Sequence, residues 1–392
     1  MNPGNYCRDF FWKICNFPKV KVHDVIIIGG GLAGLTAALD LSRYGYDIVL
    51  FETNSYPRHK VCGEYISNEI HPYLKNLGID LLAEGAVEIT DFQISTLNGY
   101  KTATKLPLGG MGMSRYALDN LLYEKASQQG VKFFFSKVSE ITYKEDQFIV
   151  RTESRSYAAK VAIGAYGKRS ALDKSLQRDF SFKKHSWLAV KGHFNHSTFP
   201  QNLVALHNFE GGYGGLSKTE DGTVNFCYLT SYKSFKKYGD IKVFNQKVVK
   251  KNKYLKMFLD EADPVFENPL SIAQISFQKK EPIVNHILMC GDTAGLIHPL
   301  CGNGMAMAIH SAKLASEPIH QFLKDTAYNR AQLEKDYRQV WYRTFKKRLW
   351  FGRKLQYLML NKKIIDIGIR TAGASKGLLK FIITKTHGKP IL

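Results

Sequence analysis

The chain has 392 residues, 44% of them apolar, and a formal net charge of +21. That size and apolar share suit about two domains with a real core, and exclude a disordered or low-complexity chain. The six cysteines are scattered without a C-x-x-C pair and no H-E-x-x-H occurs, so neither a disulfide framework nor a metal site is expected.

In chain order, residues 1–21 read as a leader outside the fold. Their apolar part is short and interrupted by charges, unlike a signal peptide. Val25–Ile28 is the branched apolar run of a buried parallel strand. Gly29-Gly30-Gly31-Leu32-Ala33-Gly34 follows and fits G-x-G-x-x-G. Residues 35–42 then read as a helix, and "DIVLFE" as a second strand ending on Glu52. Gly29 permits a tight turn, Gly31 lets backbone approach a pyrophosphate, and Gly34 lets the helix pack on the strand. The helix N-terminus aims free N–H groups at phosphate, and Glu52 can accept from both ribose hydroxyls of an adenosine.

Near the other end, Ile287–Cys290 reads as a strand and a helix opens at about Gly304. Between them lies a second glycine-rich turn, "GDTAGLIHPLCGNG". A bound NAD needs no such element. FAD does, because a ribityl chain and a three-ring head extend beyond its pyrophosphate. Gly291 and Asp292 suit the ribityl hydroxyls. Gly302, Asn303 and Gly304 suit the flavin edge, where helical N–H groups favour the charge that reduction brings. The two turns are therefore expected to hold two ends of one FAD.

These motifs resemble those of the p-hydroxybenzoate hydroxylase class of flavoproteins, and within it the geranylgeranyl reductase-like branch. "YPRHKVCGEYIS" (56–67) is similar to the P-R-x-K-x-C-G signature of that branch, and "MSRYALDNLL" to the class's R-x-x-x-D-x-x-L helix. The resemblance covers about residues 22–315. It implies that Arg115 lies near the cofactor, that Val138 meets the adenine through its backbone, and that Cys62 faces the flavin ring. Two departures matter. Tyr166 stands where the class has the aspartate of A-D-G-x-x-S, which weakens the case for direct NADPH use. Of the lipid reductases' Y-x-W-x-F-P, Tyr213 is kept, but Gly215, Ser217 and Lys218 fill the Trp, Phe and Pro positions. The four tryptophans do not match a halogenase W-x-W-x-I-P.

The expected fold is α/β: a discontinuous Rossmann-type FAD-binding domain (22–65, 110–172 and 278–330) carrying a substrate domain (66–109 and 173–277). Alternating stretches such as "TVNFCYLT" give the latter a mainly antiparallel sheet over the flavin. Residues 331–392 form a basic helical tail. From Trp341 onward it holds 13 Lys or Arg against one acid, Asp366. Tyr342, Phe345 and Leu349 mark one helical face, and Arg343, Lys346, Lys347, Arg353 and Lys354 crowd another. Such a helix either lies on an acidic membrane surface or packs on the body. No nucleic-acid motif accompanies the basic tract, so no such partner is expected.

The expected activity is that of an FAD-dependent oxidoreductase of the reducing cytosol, with a peripheral place on the inner membrane face open to it. Its substrate is a hydrophobic small molecule and the reaction C=C reduction, with flavin monooxygenation of an aromatic or phenolic lipid as the alternative. NAD(P)H or a protein donor supplies the electrons. Cys62 is the candidate proton donor. His298 lies in the flavin-facing turn as a group able to titrate near neutrality, and Tyr213 lines the substrate cavity. His185, His193, His196 and His207 show no ligand spacing.

Overall fold

The computed structural model of the chain describes residues 21–183, 186–360 and 362–392. The leader reading, for residues 1–20, and His185 fall outside them. Val22–Ile28 is the centre of the first sheet. It pairs in parallel with Ile48–Glu52 on one side (Val25 opposite Ile48) and Ser156–Gly164 on the other (Val25 opposite Val161). Lys132–Phe135 extends one edge in parallel, and Ile287–Met289 the other. Helices Leu32–Ser42, Arg115–Gln128 and Gly304–Lys324 pack around it. A strand covered on both faces needs apolar residues at every position, which is why "VIII" shows no alternation. Val25, Ile26, Ile27, Leu35, Leu39, Val49 and Leu50 are fully buried. Each such side chain contributes about 1.5–3 kcal/mol by leaving water.

The second sheet has nine strands and is antiparallel except where Leu203–Phe209 runs parallel to Val87–Ser95. Register fixes which side chains share its inner face. Lys191, Cys227, Gly215, Leu206 and Ile94 sit side by side across five strands. That row runs from a charge at one end to plain hydrocarbon at the other. Phe226, Tyr228, Phe209 and Phe244 form a separate core on the opposite face, under the helices of residues 241–261.

The domain boundaries differ from the sequence reading in three places. Tyr65–Ser67 and the end of Lys101–Gly112 belong to the second sheet. Helix His71–Asn76 packs into the first core through Tyr73 and Leu74, and the Tyr73 hydroxyl donates to Asp40 at 2.7 Å. Helix Arg330–Leu360 is part of the same core through Leu333, Tyr337, Trp341, Phe345 and Leu349. Tyr342, expected beside Phe345 and Leu349, points outward instead. Beyond it, helices Lys362–Ala374 and Lys376–Thr386 fold back onto the second sheet. No helix among the described residues is long and apolar enough to cross a membrane.

Candidate active site

The two glycine turns open onto one cavity of about 1050 Å³. In the first turn, Gly29 has φ +106°, and a Cβ there would meet the Ala165 carbonyl oxygen at 2.3 Å. A Cβ on Gly34 would lie 1.9 Å from the Gly29 carbonyl oxygen. Both glycines are demanded by the fold. Gly31 is not. Its backbone is ordinary (φ −90°), and a Cβ would find its nearest neighbour, Arg115 Nη2, 3.7 Å away. The space beside Gly31 is kept open toward the cavity, as a bound pyrophosphate requires. The Glu52 carboxylate accepts from the amides of Gly30 (3.1 Å) and Thr53 (2.7 Å) and pairs with Arg58 at 2.9 Å. It is thus fixed at the turn where a ribose would lie, and Val138 lines the same end.

Arg115 opens helix Arg115–Gln128, which Ser114 caps by accepting from the Ala117 amide. Its guanidinium grips Asp119 in a bidentate pair (2.6 and 2.7 Å), and Lys60 reaches the same carboxylate at 2.8 Å. Burial would raise the Asp119 carboxyl, but Arg115 and Lys60 hold it below its usual range. Lys60 is pushed down by burial against the pull of Asp119. Together they hold positive charge at the cavity wall, facing the place where phosphate belongs.

The second turn is braced from behind. Thr293 Oγ1 accepts from the Gly167 amide at 2.8 Å, Arg178 donates to the Thr293 carbonyl at 2.9 Å, and Lys280 donates to the Asp292 carbonyl at 2.8 Å. Arg178 is itself in a buried pair with Asp173 (2.9 Å). Gly291 (φ +60°) and Gly302 (φ +61°) supply the left-handed backbone that turns the chain twice along the cavity. Helix Gly304–Lys324 begins there, and Gly304 and Met305 line the cavity. The Asn303 side chain donates to the Thr386 carbonyl at 3.0 Å, and both residues line the cavity. Tyr166 sets its ring against Gly164 and its hydroxyl 3.6 Å from the Met289 sulfur, so no carboxylate occupies that position.

Of the three catalytic candidates, Cys62 and Tyr213 line the cavity. The Tyr213 hydroxyl is directed out of it, 3.2 Å from His298 Nδ1. His298 corrects the sequence reading. It is buried behind the wall between Tyr213 and Phe277, and burial pushes its pKa down to about 3. It stays neutral where near-neutral titration was expected. Its Nδ1 also accepts from the Leu300 amide at 3.4 Å, a structural role in the flavin-edge turn.

Sequence reasoning missed two parts of the site. One is a buried cluster under the Cys62 loop: Glu64 accepts from the Arg115 amide (2.7 Å), from Lys191 (2.5 Å) and from His193 (2.7 Å). The available signal was Lys191 and His193 at alternate positions of a strand whose every second residue faces inward. The other is the C-terminal helices. Ile365, Ile369, Ala372, Leu379 and Ile383 form the far wall of the cavity against Phe92, Ile94 and Leu206.

The residues present suit FAD: an open cradle at Gly31, a fixed acid at Glu52, a helix start at Gly304, and a cavity long enough to join them. The comparisons agree. The FAD binding domain family matches residues 22–338. Digeranylgeranylglycerophospholipid reductase 1 of Methanosphaera stadtmanae is 24% identical over 340 residues, 80% of this chain and 79% of its own. A geranylgeranyl bacteriochlorophyll reductase-like protein of Thermoplasma acidophilum superposes with a TM-score of 0.74 at 17% identity, over 93% of this chain and 95% of that one. A flavin-dependent brominase gives 0.75 at 16% identity, over 93% of each. These structural likenesses establish the fold. With the family match spanning both turns and the sheet between them, the chain belongs to the FAD binding domain family and is an FAD-dependent oxidoreductase.

Proposed function

We propose that this oxidoreductase reduces a carbon–carbon double bond in a long apolar substrate, lipid-, isoprenoid- or polyketide-like. The observation that carries the reading is the composition of the cavity. One end has the cofactor turns, and the other is hydrocarbon from Phe92, Ile94, Leu206, Ile369, Leu379 and Ile383. FAD, reduced by NAD(P)H or a protein donor, supplies hydride there. The chain binds and aligns the apolar tail, excludes water with the C-terminal helices, and gives a proton to the second carbon, with Cys62 in the wall as the donor or the site of a donor water.

The test uses holoprotein, a host lipid extract, a reductant and isotope-labelled oxygen, with products read by mass spectrometry. A lipid gaining two hydrogens and no label supports the reading. A labelled product replaces it with hydroxylation of an aromatic or phenolic lipid.

The same helices support a proposal about access to an acidic membrane surface. Trp350 and Tyr357 on helix Arg330–Leu360 and Ile367 and Phe381 on the last two helices are 55%, 75%, 64% and 55% exposed among Lys and Arg side chains, while Ile365, Ile369 and Ile383 on those last two helices line the cavity. Apolar side chains amid cationic ones suit an anionic lipid interface. Sedimentation with vesicles of phosphatidylcholine alone or with phosphatidylglycerol checks this. Binding only to the anionic vesicles, weakened in Trp350→Asp with Phe381→Asp, is expected, and equal recovery in all supernatants rejects it.

A further inference from the structure

Glu64, Lys191 and His193 form a buried charged cluster that the binding of FAD does not require. Glu64 and Lys191 are fully buried, and His193 is 1% exposed. Charges taken out of water are costly, and such a cluster adds little to stability over an apolar one. It also reaches further than a clasp for the Cys62 loop would need. His193 Nδ1 lies 3.3 Å from Thr223 Oγ1, and that hydroxyl donates to Asp221 at 2.7 Å. Asp221 is exposed to solvent, in the turn before strand Val224–Ser231. At the inner end, Glu64 lines the cavity two residues from Cys62. Phe266 stacks on the His193 ring at 4.9 Å, and His59 meets it edge-on at 5.2 Å, so the line is screened along its length.

We infer that Asp221, Thr223, His193, Glu64 and Lys191 form a proton path from solvent to the cavity wall. Each link is a hydrogen bond between groups that both give and take a proton, or can do so in turn. The Lys191–Glu64 pair stores the proton. It crosses the 2.5 Å bond from Nζ to Glu64 Oε1, and Glu64 releases it to an anion formed in the cavity. Refilling runs inward: Asp221 takes a proton from water and gives it to Thr223 Oγ1, the Thr223 hydroxyl turns and passes its own to His193 Nδ1, and His193 Nε2 gives its own to Glu64 Oε2, which restores the pair. One proton enters and one leaves. Only O–H and N–H bonds are exchanged, no electron moves, and the cluster returns to its starting charge.

Both redox readings of the cavity consume protons, so the inference does not depend on which substrate is reduced. The test is likewise independent of substrate. Bound flavin is photoreduced in weakly buffered holoprotein, and proton uptake is followed with a pH-sensitive dye while the flavin absorbance is followed separately. Thr223→Val has nearly the same shape, leaves all three charged groups in place and breaks the line in the middle. It is expected to slow proton uptake about 100-fold, at the lower edge of what positioned acid–base groups contribute. Flavin content and the rate of flavin reduction stay as in the wild type. His193→Gln is expected to act alike, and the two together no more than either alone. Wild-type uptake kinetics in Thr223→Val with flavin bound would show that the cluster only pins the loop. Failure of the lipid assay above, with slowed uptake here, would remove the substrate reading and leave the path standing.

Discussion

The two ends of the cavity are built on different physics. The cofactor end is made of backbone and paired charge: Gly29 and Gly34 in contacts that leave no room for a side chain, Gly291 and Gly302 in the left-handed backbone that favours glycine, and the pairs Arg115–Asp119 and Asp173–Arg178 buried behind them. The substrate end is made of interchangeable hydrocarbon. Around both ends, His207 beneath the second sheet, His298 in the second turn and His310 on helix Gly304–Lys324 are each pushed by burial to a pKa of about 3. One end specifies a ligand atom by atom. The other specifies only size, shape and dryness.

The largest effects come from the first turn, and they separate fold from ligand. Gly34→Val places carbon where the Gly29 carbonyl oxygen already sits, 1.9 Å from the ideal Cβ. It is expected to lose the folded state, since even moderate overpacking costs about 1–3 kcal/mol. The Cβ of Gly31→Val meets no protein atom closer than 3.7 Å. The apoprotein should melt within a few degrees of wild type, while FAD affinity falls on the order of 100-fold, about 3 kcal/mol. Flavin absorbance and a thermal melt on each variant decide it. If Gly31→Val keeps its flavin, the space beside it is not the phosphate site.

This contrast also explains what was legible in the sequence. A turn that needs glycine at three fixed spacings, a strand before it and an acid after the next strand leaves a pattern few other structures produce. The strand–turn–helix at Gly29–Gly34, the strand ending on Glu52 and the turn at Gly291–Gly304 could therefore be located before any coordinate was known. The far wall could not. Ile369, Leu379 and Ile383 repeat with the same helical period whether the helix covers a cavity, a core or a membrane. Lys191 and Glu64 lie 127 residues apart, and only the register of the second sheet brings them together. His298 misled because its position in a flavin-facing turn said nothing of which way its ring points.

Acid provides the next test, and it acts on the buried histidines at both ends. The unfolded chain binds protons at His207, His298 and His310 near pH 6.5, whereas the folded chain resists until about 3. Their contribution to stability is complete above pH 6.5 and is lost progressively as pH falls from 6.5 toward 3. With three protons taken up on unfolding, the slope approaches ~4 kcal/mol per pH unit in that window. Urea unfolding at pH 7.5, 6.5 and 5.5 measures it. His207→Gln should flatten the fall by about a third, and an unchanged slope would mean that this ring is not held neutral.

A smaller effect is expected at the second turn. Its backbone is held by Lys280, Arg178 and Thr293 whatever occupies the cavity. Asp292→Ala therefore removes a side chain and leaves the turn. FAD affinity should weaken about 10-fold, the worth of one hydrogen bond to a charged group. Fluorescence titration of apoprotein reads this, and an unchanged affinity would end the assignment of Asp292 to the ribityl chain.

The smallest effect tests the premise that the substrate end is specified by size alone. Gly215 sits mid-row on the inner face, between Cys227 and Leu206 in register, and a Cβ there has room: 3.4 Å to a Leu206 methyl and 3.7 Å to the Cys227 carbonyl oxygen. By resemblance, the lipid reductases' motif has tryptophan at this position. Gly215→Leu should keep the fold and the flavin spectrum, because it touches neither turn. What it removes is volume midway between the two ends. Binding of a fluorescent long-chain lipid probe should weaken a few-fold, with about 0.8 kcal/mol lost per methylene displaced, while a short-chain probe binds as before. Equal loss for both would mean that Gly215 serves the polar end and that the boundary between the two halves lies further toward Ile94.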